Sequence, residues 1–306
     1  MVPELETPAF KKTLLHIIMV VFACHFGMLK NSVSAQDTVY AIEISSLPVF
    51  DGCNDDPCWA SAEWQSIDNV WMPYGDALDS SDLYGRFKVL WSGEDGLLYF
   101  FIEITDDVYS GGYIPGGVTA EIFNFDMFEI FIDADKSGGY HVLDSGGTQD
   151  IYPGNNAENA FAYHVFTGMP AQGNTHADFV AEDIGGVWKR VSYISHFPDF
   201  FTRFSGNKRT HEFSLFVYDD TYSEQSADNS IVVLSPGKVL GLTVAINDDD
   251  DPDISPEEAR RDHFVGSVAV ETAAWNDHWM NADDFGILKL VPAKWNEPDL
   301  GTENNK

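Results

Sequence analysis

What most constrains this chain is a recurring short alternation of apolar and polar residues, interrupted by clusters of Gly, Asn, Asp and Pro. Tyr84 to Trp91 reads as a strand, Gly93-Glu94-Asp95-Gly96 as a turn, and Leu97 to Ile104 as the returning strand. A hairpin patterned in this way buries one face and needs a second layer to cover it. Phe125 to Asp133 gives a further strand, and others are expected at 38–44, 160–166, 187–194, 211–218, 239–246, 263–270 and 285–291. Strands at this spacing, without intervening helical periods, predict an all-β fold. The expected form is an antiparallel β-sandwich of jelly-roll type, not a series of βαβ units.

Helix signals are sparse. Ser255-Pro256-Glu257-Glu258 is a capping box with Pro at the first helical position, and it predicts one short helix through about Arg261. The segments 107–124 and 140–158 are rich in Gly, Asn and Asp and read as long surface loops, where sandwiches usually build their binding sites. From about Pro292 the chain turns polar and aperiodic, so 293–306 reads as a flexible tail.

Residues 1–35 set the compartment. Lys11 and Lys12 precede an apolar stretch from Leu14 to Leu29, and Val33-Ser34-Ala35 places small residues before Gln36, the pattern of a cleaved secretory signal. The alternative is a membrane anchor, but His16, Cys24, His25 and Gly27 interrupt a run that would need about 20 apolar residues. A lipoprotein form cut before Cys24 would need a small residue where Phe22 stands. The domain is then expected over 36–292, exported to a periplasmic, cell-surface or extracellular location. Cys53 and Cys58 remain after cleavage, and a close pair in an oxidising compartment reads as a local disulfide.

Charge narrows the partners. The whole chain has 17 basic and 49 acidic residues, and removing the three lysines and two glutamates of 1–35 leaves a net of −33. Such a field repels phosphate backbones and anionic lipid, which argues against nucleic acid and leaves neutral ligands and cations. Disorder does not explain the acidity, because 44% of residues are hydrophobic and 14% aromatic. The expected state is a monomer.

Several clusters invite a chemical role. Asp133-Ala134-Asp135-Lys136-Ser137-Gly138 places oxygen donors at alternate positions before a glycine turn, so Asp133, Asp135 and Ser137 are candidate Ca²⁺ ligands. The alternative is an acidic hairpin turn. Asn247 to Asp251, with Asp253, is a dense acidic loop that suits a second calcium, the neighbouring Arg260 and Arg261, or plain solvation. Trp275 and Trp279 flank Asn276-Asp277-His278 in the richest aromatic-polar cluster. Trp71, in a Pro/Gly stretch, is placed to reach a ligand, whereas Trp59, Trp64 and Trp91 read as core. Catalysis finds little support. Glu129 and Asp133 would lie roughly 13 Å apart along one strand, beyond the usual ~5–9.5 Å of glycosidase carboxylates. No nucleophile elbow, HExxH or phosphate loop occurs.

The order of these segments resembles the family 9 carbohydrate-binding modules. It runs from Val49-Phe50-Asp51-Gly52 through Asp56-Pro57-Cys58-Trp59, Arg86 to Trp91 and Leu98-Tyr99-Phe100 with Asp106-Asp107. It continues through Asp126 to Asp133 and Val239 to Asp248, and closes on Trp279 and Phe285-Gly286-Ile287-Leu288-Lys289-Leu290. The resemblance spans about 47–291. It implies a β-sandwich with structural calcium, a sugar end held between two aromatic rings, and no catalytic centre. Trp279 stands at the second stacking position. Phe123 stands where the family has its first stacking Trp, followed by Asn124, Phe125 and Asp126. A pyranose presents an apolar C–H face to such rings and hydroxyls to neighbouring polar side chains. The expected ligand is therefore a poly- or oligosaccharide, with Trp279, Phe123, Asn124, Asp126, Trp275 and Trp71 as candidate contacts. A haem-binding electron-transfer sandwich (with Met127, Met169 or Met280 as axial ligand) and a glycoside hydrolase stand as alternatives.

Overall fold

The computed structural model describes residues 38–111, 124–139, 141, 160–167, 175–183, 188–192, 194–222, 226–251, 260–271, 277–279 and 281–294. The expected signal segment, the capping box at 255–258, Phe123, Trp275, Met169, Met280 and the tail beyond 294 lie outside them.

Fourteen strands are described in one hydrogen-bonded sheet, three of them branching from its main path. In chain order they are β1 (Thr38–Glu43), β2 (Gln65–Ile67), β3 (Asn69–Met72), β4 (Leu83–Ser92), β5 (Leu97–Asp106), β6 (Met127–Asp133) and β7 (Ala160–Thr167). They continue with β8 (Thr175–Asp183), β9 (Trp188–Ser192), β10 (Phe200–Ser205), β11 (Lys208–Phe216), β12 (Val239–Asp248), β13 (His263–Gly266) and β14 (Gly286–Val291). The path runs β10-β11-β5-β4-β1-β14-β12-β6-β7-β8-β9, with β2 on β4, and with β13 bridging β12 and β3.

The path closes into two layers. Phe128 of β6 stacks on Phe213 of β11 at 5.6 Å and lies 4.8 Å from the His211 ring, although β6 and β11 are far apart along the sheet order. Gly85 on β4 shows how closely the layers approach: a Cβ there would stand 2.2 Å from Cδ1 of Ile246 on β12. Inward residues of both layers, among them Phe87, Phe100, Ile102, Phe213, Ile130, Val244 and Leu288, share one core. Most ladders are antiparallel as expected. The exception is β1, which runs parallel to both its neighbours, β14 and β4.

A second, smaller core lies on the outer face of β4 and β5, where Trp59, Leu90, Tyr99 and Phe101 are buried beneath the segment leading into β2. The 3₁₀ turn Pro57–Ser61 carries Trp59 into it. Glu212 of β11 is buried there and ties the cover down. Its carboxylate accepts from Trp59 Nε1 at 2.8 Å and from the backbone N–H groups of Asp51 and Gly52 at 3.1 and 3.0 Å. Gly52 has φ +73°, and a Cβ there would meet Arg203 Cβ at 2.7 Å, so the cover sits on the strands only with glycine at this position.

The two cysteines beside this turn correct the disulfide expectation, because both are free thiols. The Cys53 sulfur instead takes a hydrogen bond from Arg203, and burial is the largest of the effects that raise the Cys58 thiol above its ordinary range.

Two outcomes test this packing. Glu212→Ala strips the acceptor from three donors and is expected to lower unfolding free energy by about 2–3 kcal/mol in denaturant titration. His196, held between Tyr163 Oη at 2.8 Å and Tyr222 Oη at 2.9 Å, is pushed down by burial to about 3. An unfolded imidazole protonates near 6.5, so this group contributes stability above that pH which is lost as pH falls below it. Its ring resonances in NMR are expected to remain those of neutral imidazole from pH 8 down to about 4.

Candidate functional site at the β5–β6–β12 end of the sandwich

The ends of β4, β5 and β12 and the start of β6 bring a dense set of polar side chains together. Asp126 is at its centre. Its Oδ2 accepts from the Ser110 backbone N–H at 2.7 Å and from Arg209 Nη1 at 3.0 Å, and its Oδ1 accepts from the Asp249 N–H at 2.9 Å. Both oxygens thus hold the chain after β5 to the chain after β12. Arg209, itself buried, reaches Asp106 with its second nitrogen and packs 4.4 Å from the Tyr109 ring. Burial pushes Asp106 up to about 8 against the opposing pull of Arg209. Asp248 is also raised to about 8, by burial first and then by Asp126 and Asp250.

A second polar chain runs beside it. Asn247 donates to Glu129 Oε1, Arg261 Nη1 donates to Asn247 Oδ1 at 2.7 Å, and the Arg261 N–H meets Asn124 Oδ1 at 3.4 Å. Arg261 lies 4.3 Å from the Phe264 ring, and burial lowers it to about 10 while Glu129 raises it. Arg261 thus bonds Asn247, the first residue of the acidic loop. Glu129 is bound to Asn247, and both Asp133 oxygens are held by backbone amides, so neither carboxylate is placed as a general acid or nucleophile.

The sequence-derived site residues separate into groups. Asn124 and Asp126 are brought together here, but buried, and Asp126 makes internal bonds with both oxygens. Trp279 is part-exposed and packs against the main core with its outer neighbours Asp277 and Asn281 around it in sequence. Trp71 requires correction. Its ring is fully buried, stacked on His278 at 4.4 Å with Nε1 donating to the Val268 carbonyl, so it is a core residue and presents no face to a ligand. The reason is β3, which the Pro/Gly content of this stretch concealed: its pairing with β13 turns Trp71 inward against Gly266. Trp59 and Trp91 are core as expected, and Trp64 is half-buried with Arg86 4.0 Å over its ring.

The Asp133 loop is a self-contained turn. Asp133 Oδ1 accepts from the N–H groups of Asp135 and Lys136, and Oδ2 from Gly138. Asp135 Oδ1 accepts from both the N–H and the hydroxyl of Ser137. Among the described residues, acidic, His and Cys side chains also converge in the sets Asp106/Asp126/Asp248, Asp82/Asp107/Asp250, Asp82/Asp248/His263 and Asp51/Cys53/Asp55. Asp82 and Asp107 were missed from sequence because nothing local links them to Asp250; the sheet order alone brings them together.

A closed two-layer sheet whose strand ends carry a polar, loop-built site defines an all-β sandwich domain. Residues 50–165 match the family model described as carbohydrate family 9 binding domain-like. The fold agrees over a longer span. A family 9 carbohydrate-binding module from Caldicellulosiruptor kristjanssonii in complex with cellotriose is 17% identical with a TM-score of 0.51, covering 88% of this chain and 100% of that one. A structure of a family 9 module from the same organism in complex with glucose is 16% identical with a TM-score of 0.50, covering 86% and 100%. No curated protein matches the chain.

Arg209 offers the direct test of the site's architecture. Arg209→Ala leaves Asp106 and Asp126 buried without their cation and is expected to cost about 3–5 kcal/mol of unfolding free energy, read from the denaturation midpoint.

Proposed function

We propose that this chain is an exported, non-catalytic carbohydrate-binding module that recognises a poly- or oligosaccharide at an aromatic-lined site supported by calcium. The observation that carries the reading is the family match over residues 50–165, together with a sandwich fold similar to that of modules in complex with cellotriose and glucose. The local chemistry supports it. The polar seam around Asp126 holds the loops at one end of the sandwich, and Trp279 is part-exposed. By the family resemblance, Phe123 would add a second ring to the ligand surface.

Recognition in such a site divides into two tasks. An indole face covers the apolar C–H surface of a pyranose, and planar polar groups select the hydroxyl pattern. Neutral glucans suit this chain, because a net charge of −32 opposes anionic polymers. The basic start, apolar stretch and Val33-Ser34-Ala35 of residues 1–35 support export. No helix among the described residues is long and apolar enough to cross a membrane.

Isothermal titration with cellotriose and other neutral oligosaccharides is expected to give saturable binding. Trp279→Ala is expected to weaken it at least tenfold, with about the loss of one stacking contact plus its buried area. Absence of binding to every glycan on an array, or unchanged affinity in Trp279→Ala, would overturn the reading.

A further inference from the structure

The turn that follows β6 meets a segment far from it in sequence. Lys136 takes φ +56°, a conformation that non-glycine residues rarely adopt, and Gly138 and Gly139 follow at +72° and +90°. Bonds to Asp133 and Asp135 satisfy the inner side of the turn. Its outer side lies against the segment that carries Trp279. The Gly139 N–H donates to Asp283 Oδ1 at 2.8 Å, and the Gly139 carbonyl accepts from the Ala282 N–H at 2.8 Å. Gly138 packs so closely on Asp283 that a Cβ there would stand 2.6 Å from Oδ1. Two residues beyond Gly139, His141 Nε2 donates to the His278 carbonyl at 3.0 Å. Burial lowers His141 to about 4, so at neutral pH its ring holds one proton, and the carbonyl acceptor places that proton on Nε2.

Trp279 lies at the middle of what these bonds hold. The Asn281 N–H closes a turn on the Asp277 carbonyl at 2.8 Å, with Trp279 halfway between the two. Just before it, the His278 ring is buried between Trp71 at 4.4 Å and Phe285 at 5.5 Å. Beyond it, Ala282 is buried and bonded to Gly139. The backbone is thus fixed on both sides of the tryptophan, whereas the residue itself stays part-exposed. Backbone strain such as that of Lys136 persists where surrounding contacts over-determine it, and it gathers at functional sites.

We propose that Gly138, Gly139, His141 and Asp283 form a clamp that positions Trp279 for stacking on a sugar ring. The role of these four residues rests on Trp279 being the ligand contact proposed above. They act through the backbone that carries the indole, not by touching the sugar. Stacking is sensitive to placement, because a gap of roughly 0.5–1 Å already forfeits a quarter to a half of a dispersion contact. A ring held in place before the ligand arrives also loses less side-chain freedom on binding.

Asp283→Ala removes the acceptor of the Gly139 N–H at an exposed position, and Asp283→Asn keeps a carbonyl oxygen there. The indole N–H cross-peaks of the eight tryptophans in ¹⁵N-labelled protein report on the ring directly, that of Trp279 being assigned by its loss in Trp279→Phe. Asp283→Ala is expected to move or broaden the Trp279 cross-peak. It is also expected to weaken glycan binding about three- to tenfold, with little change in melting temperature. Asp283→Asn is expected to match the wild type in every readout, and Gly138→Ala to follow Asp283→Ala. A Trp279 cross-peak unmoved in both Asp283→Ala and Gly138→Ala overturns the clamp. So does a moved cross-peak beside unchanged glycan affinity, or an equal loss in Asp283→Asn. If the wild-type chain binds no glycan while the cross-peak moves as expected, the functional reading falls and the turn's hold on the ring stands.

Discussion

The rings between the two layers carry the structure. Phe213 stacks on Phe100 at 5.0 Å within its own layer and on Phe128 at 5.6 Å across to the other, with Phe200 at 5.2 Å extending the column. Each ring buries a large apolar area, and offset stacking adds a contact energy beyond that area. The spacing of the layers follows from these contacts, and with it the positions of the strand ends. Asp106 at the end of β5 and Asp126 before β6 come from different parts of the sheet, and they can share Arg209 only because the layers are held at this separation.

A strongly acidic chain must also place its charge. Most carboxylates lie where water screens them, but the β5–β6–β12 end gathers several inside. The fold spends some of its few cations there: Arg209 and Arg261 are inserted into the seam, each sandwiched between a polar partner and an aromatic ring. Lys88 is used similarly at the smaller core, where its ammonium donates to the Trp59 carbonyl at 2.7 Å. Buried cations of this kind hold parts of the chain in one arrangement, because moving either partner strands a charge away from water.

The strands with clear periodicity were legible in the sequence. Leu83–Ser92, Leu97–Asp106, Met127–Asp133, Val239–Asp248 and Gly286–Val291 fall close to where the pattern placed them. Gln65–Ile67 and Asn69–Met72 were not, being too short to show a period, and the parallel setting of β1 is a long-range fact with no local sign. The site was less legible for the same reason. Asp133 to Ser137 reads as an ion loop because oxygen donors alternate there, and the same alternation lets these side chains cap their own turn, a contact that the residue spacing alone does not show. Asp126 stood out as a motif residue, but its role in joining two loops depends on Ser110 and Asp249, remote in sequence. The cysteine pair misled because separation along the chain does not show whether the two sulfurs face each other.

The placement of β1 has a mechanical consequence. It is the first described strand, and it lies parallel to β14, the last, through the register Thr38↔Ile287 to Ile42↔Val291. Tension applied between the two ends of the described chain therefore pulls these strands lengthwise past each other. The hydrogen bonds of that ladder carry the load together instead of opening one at a time, as they would in an antiparallel pair peeled from its end. Because β1 also joins the two layers through β4, sliding it free separates the sandwich, so resistance to stretching and integrity of the fold reside in the same short strand.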